Sequence, residues 1–226
     1  DNNYYGISIH GTYNNVENST VSGTTCSGSC SSHGYGIYVF SPSAFIYNNT
    51  ISNNSYSGIY AYGSTSSKYI NNKVVDNEGY GIDLDYYWGG NSASVINNQI
   101  LRNEKSGLYL SSVDLHKIEN NTIKNNDENG IIFYSSVQNY LWNNTISLNE
   151  DLDIVLVLSS NNNYAINTVF STISVDSDSS LILKEYFVLD VNDFSMRFGS
   201  ILYVSITGST GIGMAPTLLT ASQVAI

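Results

Sequence analysis

The chain has 226 residues, 42% of them hydrophobic, which is enough for one large domain with a substantial core. Only 12% of the residues are charged and 12% are aromatic, so the composition is that of a folded β-protein with a neutral polar surface. The net charge of −11, with 8 lysines and arginines, excludes the basic footprint that nucleic acid or an anionic membrane surface requires. No apolar run reaches the ~18 residues of a membrane-spanning helix, so we expect no membrane insertion.

A glycine followed by a short apolar strand recurs along the chain, as in Gly6-Ile7-Ser8-Ile9, and successive copies begin 30, 22, 23, 26 and 23 residues apart. A second apolar segment, introduced by paired asparagines as in Asn97-Asn98-Gln99-Ile100, recurs in phase with the first. Two strand signals per repeat, with no sustained helical period, predict one turn of a β-solenoid. The copies start at Gly6, Gly36, Gly58, Gly81, Gly107 and Gly130, with Asp153 in the glycine's place in a seventh.

Stacking would supply the core, because one coil alone cannot bury its own apolar residues. Alternate residues of a strand point to opposite sides, so Ile59, Ile82 and Leu108 are predicted to form one interior column. The paired asparagines are predicted at the bends, where each amide donates to one neighbouring coil and accepts from the other. The predicted fold is all-β: a right-handed, single-stranded parallel β-helix of six to seven coils over residues 1–160.

The pattern Asn-Asn-Thr-Ile-x-x-Asn followed by Gly-Ile, as in residues 48–59, resembles the parallel β-helix repeats of the carbohydrate-binding and sugar hydrolase type. These repeats include NosD-like periplasmic proteins and many surface proteins of archaea and bacteria. The resemblance covers residues 1–170 and implies the fold, but it leaves function open because this fold carries enzymes, adhesins and spacers alike. In residues 161–226 the glycine register lapses, and we expect irregular final coils, a capping β-segment or the start of a β-sandwich.

The longest insertion contains Cys26 and Cys30, with His33 nearby. Two cysteines in an acidic, Asn/Ser-rich chain predict a loop-closing disulfide formed in an oxidising compartment. The alternative is a metal site, but these residues supply three ligands where structural zinc takes four. His10 and His116 have no partner at motif spacing and are predicted to be surface residues.

The outward positions of the glycine strands form a surface rich in tyrosine, with side chains about 4.8 Å apart on adjacent coils. Such a belt suits neutral sugars, which stack on aromatic faces; the alternative is that tyrosines simply favour half-exposed strands. An insertion at residues 86–90 would lie beside the belt. The glycan-binding candidates are Tyr38, Tyr60, Tyr62, Tyr86, Tyr87, Trp88, Tyr109 and Tyr134.

Asp83 and Asp85 are the catalytic candidates, because their carboxylates would lie on one face about 6.5–7 Å apart, within the range of roughly 6.5–9.5 Å for inverting glycosidases. The string Tyr80–Asp85 resembles the Tyr-Gly-Ile-Asp-Pro-His signature of alginate epimerases, but Leu84 and Asp85 replace the proline and histidine. Epimerase activity is therefore not implied. A Ca²⁺ site is one alternative, and the preferred one is that both are surface carboxylates that aid solubility.

Sequons for N-glycosylation occur at five positions, and three of them are also copies of the repeat's own bend, so the repeat alone explains them. The glycosylation candidates are Asn18, Asn48, Asn53, Asn120 and Asn143.

Two classes of function remain. The first is an extracellular or cell-surface structural or adhesive module that self-associates and contacts glycans. The second is a polysaccharide-active enzyme or glycan-binding module that uses the Asp/Tyr face. The absence of a complete catalytic set favours the first, so we expect a protein without enzymatic activity and with no cofactor other than Ca²⁺. The expected partners are copies of the chain and glycans.

Overall fold

The structure, a computed structural model, describes residues 4–26, 33–184, 194–196, 201–205 and 217–220, with side chains described for 4–26, 33–86 and 92–183. Within these residues the chain winds into a right-handed parallel β-solenoid without helices. Each regular coil adds one strand to each of three parallel sheets, which we call the first, second and third sheet in the order that a coil visits them.

The strands are numbered in chain order. The first sheet comprises β1 (Tyr5–His10), β4 (Tyr35–Phe40), β7 (Ile59–Tyr62), β10 (Ile82–Asn91), β13 (Leu108–Asp114), β16 (Ile131–Tyr134), β19 (Ile154–Val157), β21 (Ile173–Val175) and β23 (Phe194–Met196). The second comprises β2 (Asn15–Glu17), β5 (Phe45–Tyr47), β8 (Lys68–Ile70), β11 (Ser94–Ile96), β14 (Lys117–Glu119), β17 (Tyr140–Trp142), β20 (Asn163–Ile166), β22 (Ser180–Lys184), β24 (Ile201–Ser205) and β25 (Thr217–Thr220). The third comprises β3 (Thr20–Ser22), β6 (Thr50–Ser52), β9 (Lys73–Val75), β12 (Gln99–Leu101), β15 (Thr122–Lys124) and β18 (Thr145–Ser147).

The register of the first sheet builds the predicted interior column. Ile59 pairs with Ile37 on one side and Ile82 on the other, and Ile82 pairs with Leu108. All four side chains are fully buried. The prediction of a right-handed parallel β-helix is therefore confirmed, including the stacking of coil on coil.

The second sheet is the element that the sequence pattern does not reveal. Its strands in the regular coils are three residues long and bury one side chain, such as Val95 between Ser94 and Ile96. A single inward residue produces no alternation to detect, and these strands lack the preceding asparagine pair that marks the equally short strands of the third sheet. The pattern therefore predicts two strands a coil, whereas the structure has three.

The two asparagines of each pair have different roles at the corner between the second and third sheets. The outer residue of each pair, such as Asn97, is exposed and has a positive φ of 56°, a conformation that asparagine adopts more readily than most residues. The inner residue is buried, and its Nδ2 donates to the Oδ1 of the inner residue on the next coil at 3.0–3.1 Å. The predicted amide ladder is thus confirmed; it consists of Asn49, Asn72, Asn98, Asn121 and Asn144.

A second ladder of the same kind follows the third sheet. Its amides are also buried, except for the half-buried Asn149 at its end, and successive Nδ2···Oδ1 distances are 2.8–3.0 Å. The two ladders satisfy polar groups that would otherwise be unpaired inside the corners. The second ladder consists of Asn54, Asn77, Asn103, Asn126 and Asn149.

Beyond the regular coils the third sheet ends at β18, while the first and second sheets continue. β22 and β24 extend the second sheet in parallel, and β25 pairs antiparallel with β24. An antiparallel strand at the end of a sheet occupies backbone groups that the edge would otherwise expose. The division of the chain between residues 160 and 161 stays a prediction.

His116 lies in the interior, so its prediction as a surface residue was wrong. Its side chain is fully buried, with Nδ1 2.8 Å from the carbonyl oxygen of Asp114 and the ring edge-on to Tyr86 at 5.9 Å. The backbone N–H of His116 donates to Asn139 Oδ1 at 2.9 Å, so the residue occupies a corner position like those of the asparagine ladders. Burial lowers its pKa from 6.5 to about 4.

We expect this histidine to make the fold acid-sensitive. Between pH 6.5 and about 4, His116 is protonated in the unfolded chain but not in the folded chain. The contribution of His116 to stability is therefore complete above pH 6.5 and falls as the pH drops, by about 3 kcal/mol in all. Urea unfolding from pH 4 to 8 should give a steeper pH dependence for the native chain than for His116→Gln. Parallel curves for the two proteins would contradict the assignment.

Candidate functional site

The outward face of the first sheet brings the predicted aspartates and tyrosines together. Asp83 lies in register between Tyr60 and Tyr109 on the neighbouring coils, and Asp85 lies between Tyr62 and Ser111. This arrangement follows from the period of two along each strand and the constant register between coils.

The tyrosine rings of this face stack on one another rather than standing free. Each pair joins the residue before a glycine to the outward residue of the next coil, with ring centroids 4.7 Å apart. Because ring faces are used in these contacts, the phenol hydroxyls and ring edges are the groups offered to a ligand. The first member of each pair was not among the predicted site residues, although a tyrosine directly before the glycine of the repeat is a signal that could have identified it. The pairs are Tyr5–Tyr38, Tyr35–Tyr60 and Tyr80–Tyr109.

One pair in this series is replaced by two short polar residues, Ser57 before the glycine and Asp83 on the next coil. Ser57 is fully buried and Asp83 is 7% exposed. Asp83 Oδ1 and Ser57 Oγ are both buried without a hydrogen-bond partner. The prediction that Asp83 is a surface carboxylate was therefore wrong, because the surrounding tyrosines cover it.

The two aspartates have unequal environments. Burial, together with the charge of Asp85, raises the pKa of Asp83 well above its ordinary value, and Lys105 opposes this effect. Asp85 is only half-buried, at the edge of the face beside Tyr62. Burial also raises the pKa of Tyr60, and the charges of Asp85 and Asp83 add to that effect. The face therefore favours neutral forms of its central groups.

Lys105 is a cation at this face that the sequence analysis missed. Its Nζ lies 5.1 Å from the ring centre of Tyr80 and 5.5 Å from that of Tyr56, within the range of cation–π contacts. Tyr56 in turn meets the ring of Tyr35 edge-on at 4.9 Å. Lys105 and Tyr56 both lie in turns before a glycine strand, where strand periodicity gives no information about direction.

Tyr86 does not belong to this face. It follows Asp85 on β10 and points into the solenoid, where it is 2% exposed and its hydroxyl lies 3.4 Å from Ser64 Oγ. Burial raises its pKa to about 12. Its prediction as a glycan contact was wrong, whereas Tyr134 is 39% exposed near Tyr109, at a ring distance of 6.3 Å. The side chains of Tyr87 and Trp88 lie outside the described residues.

Cys26 is disulfide-bonded, and the position of Cys30 lies outside the described residues, so their pairing stays a prediction. In the described part of the chain, no three histidine, cysteine, aspartate or glutamate side chains group as metal ligands. Coordination of Ca²⁺ by Asp83 and Asp85 stays a prediction. The five sequon asparagines are all exposed at corners with positive φ, and their glycosylation stays a prediction. No helix that could cross a membrane occurs in the described residues.

Fold and site together define a parallel β-solenoid with a tyrosine-lined face around one buried and one half-buried aspartate. The family described as right-handed β-helix region matches residues 5–170 and, in an overlapping match, residues 86–205. The chain belongs to the right-handed β-helix family. No curated protein matches it.

The solved structures that are similar to the chain include three that cover 77–94% of it. The periplasmic alginate epimerase AlgG is 23% identical, with 77% of this chain and 48% of that one covered and a TM-score of 0.59. ORF18 of Geobacillus virus E2 is 10% identical, with 94% and 48% covered and a TM-score of 0.74. The A-module of the Azotobacter vinelandii mannuronan C-5 epimerase AlgE4 is 14% identical, with 87% and 58% covered and a TM-score of 0.67. At these identities the likeness shows the fold alone, and the chain spans about half the length of these structures.

Proposed function

We propose that the chain is a glycan-contacting β-solenoid module of an extracellular or cell-surface protein, and that the first-sheet face around Asp83 is its contact surface. The observation that carries the proposal is the buried Asp83 Oδ1, which has no hydrogen-bond partner on a face of half-buried tyrosines. Buried polar atoms are almost always paired. An unpaired one among hydroxyl groups therefore supports contact with a polar ligand.

A sugar polymer is the ligand class that fits this chemistry. The face presents phenol hydroxyls at the regular spacing of the coils, together with two carboxyl groups, and sugar hydroxyls both donate to and accept from such groups. Two of the three similar structures are named as epimerases of alginate or mannuronan, which adds support by analogy of fold only. A structural or adhesive role and self-association are parts of the same proposal.

Enzymatic activity is the second candidate, and the unequal environments of the aspartates favour it. A carboxyl group with a raised pKa beside an ionised one is the arrangement by which glycosidases obtain an acid and a second carboxylate at neutral pH. Asp83 would be the acid and Asp85 the carboxylate. Release of reducing ends from a bound polymer, abolished in Asp83→Asn, would favour this candidate over simple binding.

The contact surface is tested by removing two hydroxyl groups while keeping the rings. The double variant Tyr60→Phe/Tyr109→Phe should bind a retained polysaccharide about tenfold more weakly than the native chain, because two hydrogen bonds are lost. Affinity electrophoresis in gels that contain single polysaccharides identifies the polymer, and calorimetry then measures its affinity.

The matched control is Tyr140→Phe/Tyr164→Phe, which alters a pair stacked at 4.9 Å on the second sheet. We expect this control to bind like the native chain. Equal weakening in both double variants, or no binding to any polymer, would refute the assignment of the surface.

A further inference from the structure

The break in the tyrosine series has a defined shape. The stack of Tyr35 on Tyr60 precedes it and the stack of Tyr80 on Tyr109 follows it, both at 4.7 Å. Between them Ser57 and Asp83 occupy the two positions where the series otherwise has two phenol rings. Two intact aromatic stacks thus flank a short stretch of the face at which the two buried side chains, Ser57 and Asp83, are polar.

One polar atom of each of these two residues lacks a hydrogen-bond partner although it lies inside the protein. Asp83 Oδ1 and Ser57 Oγ are buried and make no hydrogen bond. Buried polar atoms are almost always paired, so two unpaired ones on adjacent coils form an unusual concentration of unmet hydrogen-bonding capacity. A group that both donates and accepts, such as a hydroxyl, would meet it.

The charges around Ser57 and Asp83 favour an uncharged ligand over an anionic one. Asp85 acts on Asp83, and Glu128 acts on the neighbouring Tyr80. Lys105 is the one cation that acts on Asp83 among the described residues, and its ammonium already lies against two tyrosine rings. An anionic ligand group would be repelled by these carboxylates in a partly dehydrated site, whereas an uncharged hydroxyl would not.

We propose that Ser57 and Asp83 form a slot for one hydroxyl group of an uncharged glycan, in which the carboxyl group of Asp83 donates a hydrogen bond and Ser57 determines specificity. This inference rests on the proposed function of the face. The raised pKa of Asp83 supports the donor role, since a carboxylic acid kept neutral by its site can donate a hydrogen bond at neutral pH. Lys105 acts on Asp83 and contacts the ring of Tyr56, so both residues lie beside the slot.

Entry to the slot requires only side-chain movement. Tyr56 belongs to the turn before Ser57, outside the strands, and its backbone N–H donates to the carbonyl oxygen of Gly34 at 3.1 Å. Rotation of its side chain leaves that bond and all sheet hydrogen bonds intact. The ring contact with Tyr35 at 4.9 Å and the cation–π contact with Lys105 at 5.5 Å are the contacts that would be given up.

The test compares β-1,4-linked mannose oligomers with mannuronate oligomers of equal length, in which a carboxylate replaces the C6 hydroxymethyl group of each sugar, by calorimetry with the native chain and three variants. The native chain should bind the uncharged oligomer at least tenfold more tightly. Ser57→Ala should weaken that binding about tenfold and Asp83→Leu about a hundredfold. Asp83→Asn should stay within about threefold of the native chain, because an amide is neutral and donates. Thermal unfolding confirms that each variant is folded.

Each result supports or refutes the slot. Tighter binding of mannuronate, loss of binding in Asp83→Asn, or native affinity in both Ser57→Ala and Asp83→Leu would overturn the slot. If affinity falls only in Tyr60→Phe/Tyr109→Phe, the face binds glycan and the slot alone is refuted. If the folded native chain binds neither these oligomers nor any polymer of the affinity gels, the proposed function fails together with the slot.

Discussion

Replacing Asn98 with aspartate is expected to destabilise the chain by about 3–5 kcal/mol, because it places an uncompensated charge inside a corner. Asn98 is the middle rung of the first ladder. Its Oδ1 accepts from the backbone N–H and the Nδ2 of Asn72, at 2.8 and 3.1 Å. Its Nδ2 donates to the carbonyl oxygen of Tyr69 at 2.8 Å and to Asn121 Oδ1 at 3.0 Å.

The substitution keeps the size of the side chain and removes only its donors. An aspartate would turn carboxylate oxygens toward the oxygens of Tyr69 and Asn121, which then lose their donor and face a negative charge. The matched control is Asn97→Asp, the same change one residue earlier on the exposed side of the bend, which should cost less than about 0.5 kcal/mol. Aspartate also tolerates the positive φ at that position.

Urea unfolding followed by circular dichroism at pH 7 measures both variants. A loss that is large at Asn98 and negligible at Asn97 would show that the ladder, rather than the asparagine composition of the bends, stabilises the coils. Similar free energies of unfolding for the two variants would contradict this account.

Substituting alanine for Gly81 is expected to cost about 3 kcal/mol, because overpacking of a close-packed interior forces the backbone or its neighbours to shift. A Cβ at this position would clash with the side chain of Ile100 on the third sheet and would lie 2.6 Å from the carbonyl oxygen of Gly107. It would also lie 2.9 Å from Asn103 Nδ2, in the second ladder. The carbonyl oxygen belongs to the sheet and cannot move aside cheaply.

The control for this prediction is Gly63→Asn. Gly63 has a φ of +64° and open space around the position of a Cβ, and asparagine adopts that conformation at low cost. Thermal and urea unfolding should leave Gly63→Asn within about 0.5 kcal/mol of the native chain. A Gly81→Ala protein as stable as this control would mean that the first and third sheets do not approach as closely as described.

The same contact explains where the glycine of the repeat is lost. In the regular coils the glycine lies against the buried residue of the third-sheet strand in its own coil, as Gly81 does against Ile100. The third sheet ends with β18, before the seventh copy of the repeat is complete. Asp153 therefore has room for a side chain, and its Oδ2 accepts from the N–H and the hydroxyl of Ser171, both at 2.7 Å.

Much of the candidate site could be predicted from strand periodicity. Tyr60, Asp83 and Tyr109 share a face because they occupy equivalent positions on successive copies of the same strand, and register follows from the repeat. Three of the residues that were missed lie outside those strands: Ser57 before a glycine, and Tyr56 and Lys105 in turns. The direction of a turn side chain depends on the corner around it, which a period of two does not describe.

The repeat was enough to predict the solenoid, its interior columns and the amide ladder of the paired asparagines, because each depends on one residue type recurring at one spacing. The burial of Asp83, the diagonal stacking of the tyrosine rings and the inward direction of Tyr86 and His116 became visible in three dimensions alone. These properties depend on which side chains of adjacent coils fill the space around each residue. The side chains of the neighbouring coils thus determine how deeply a residue is buried. Burial in turn determines whether a carboxyl group on a strand is a charged surface group or a hydrogen-bond donor inside a site.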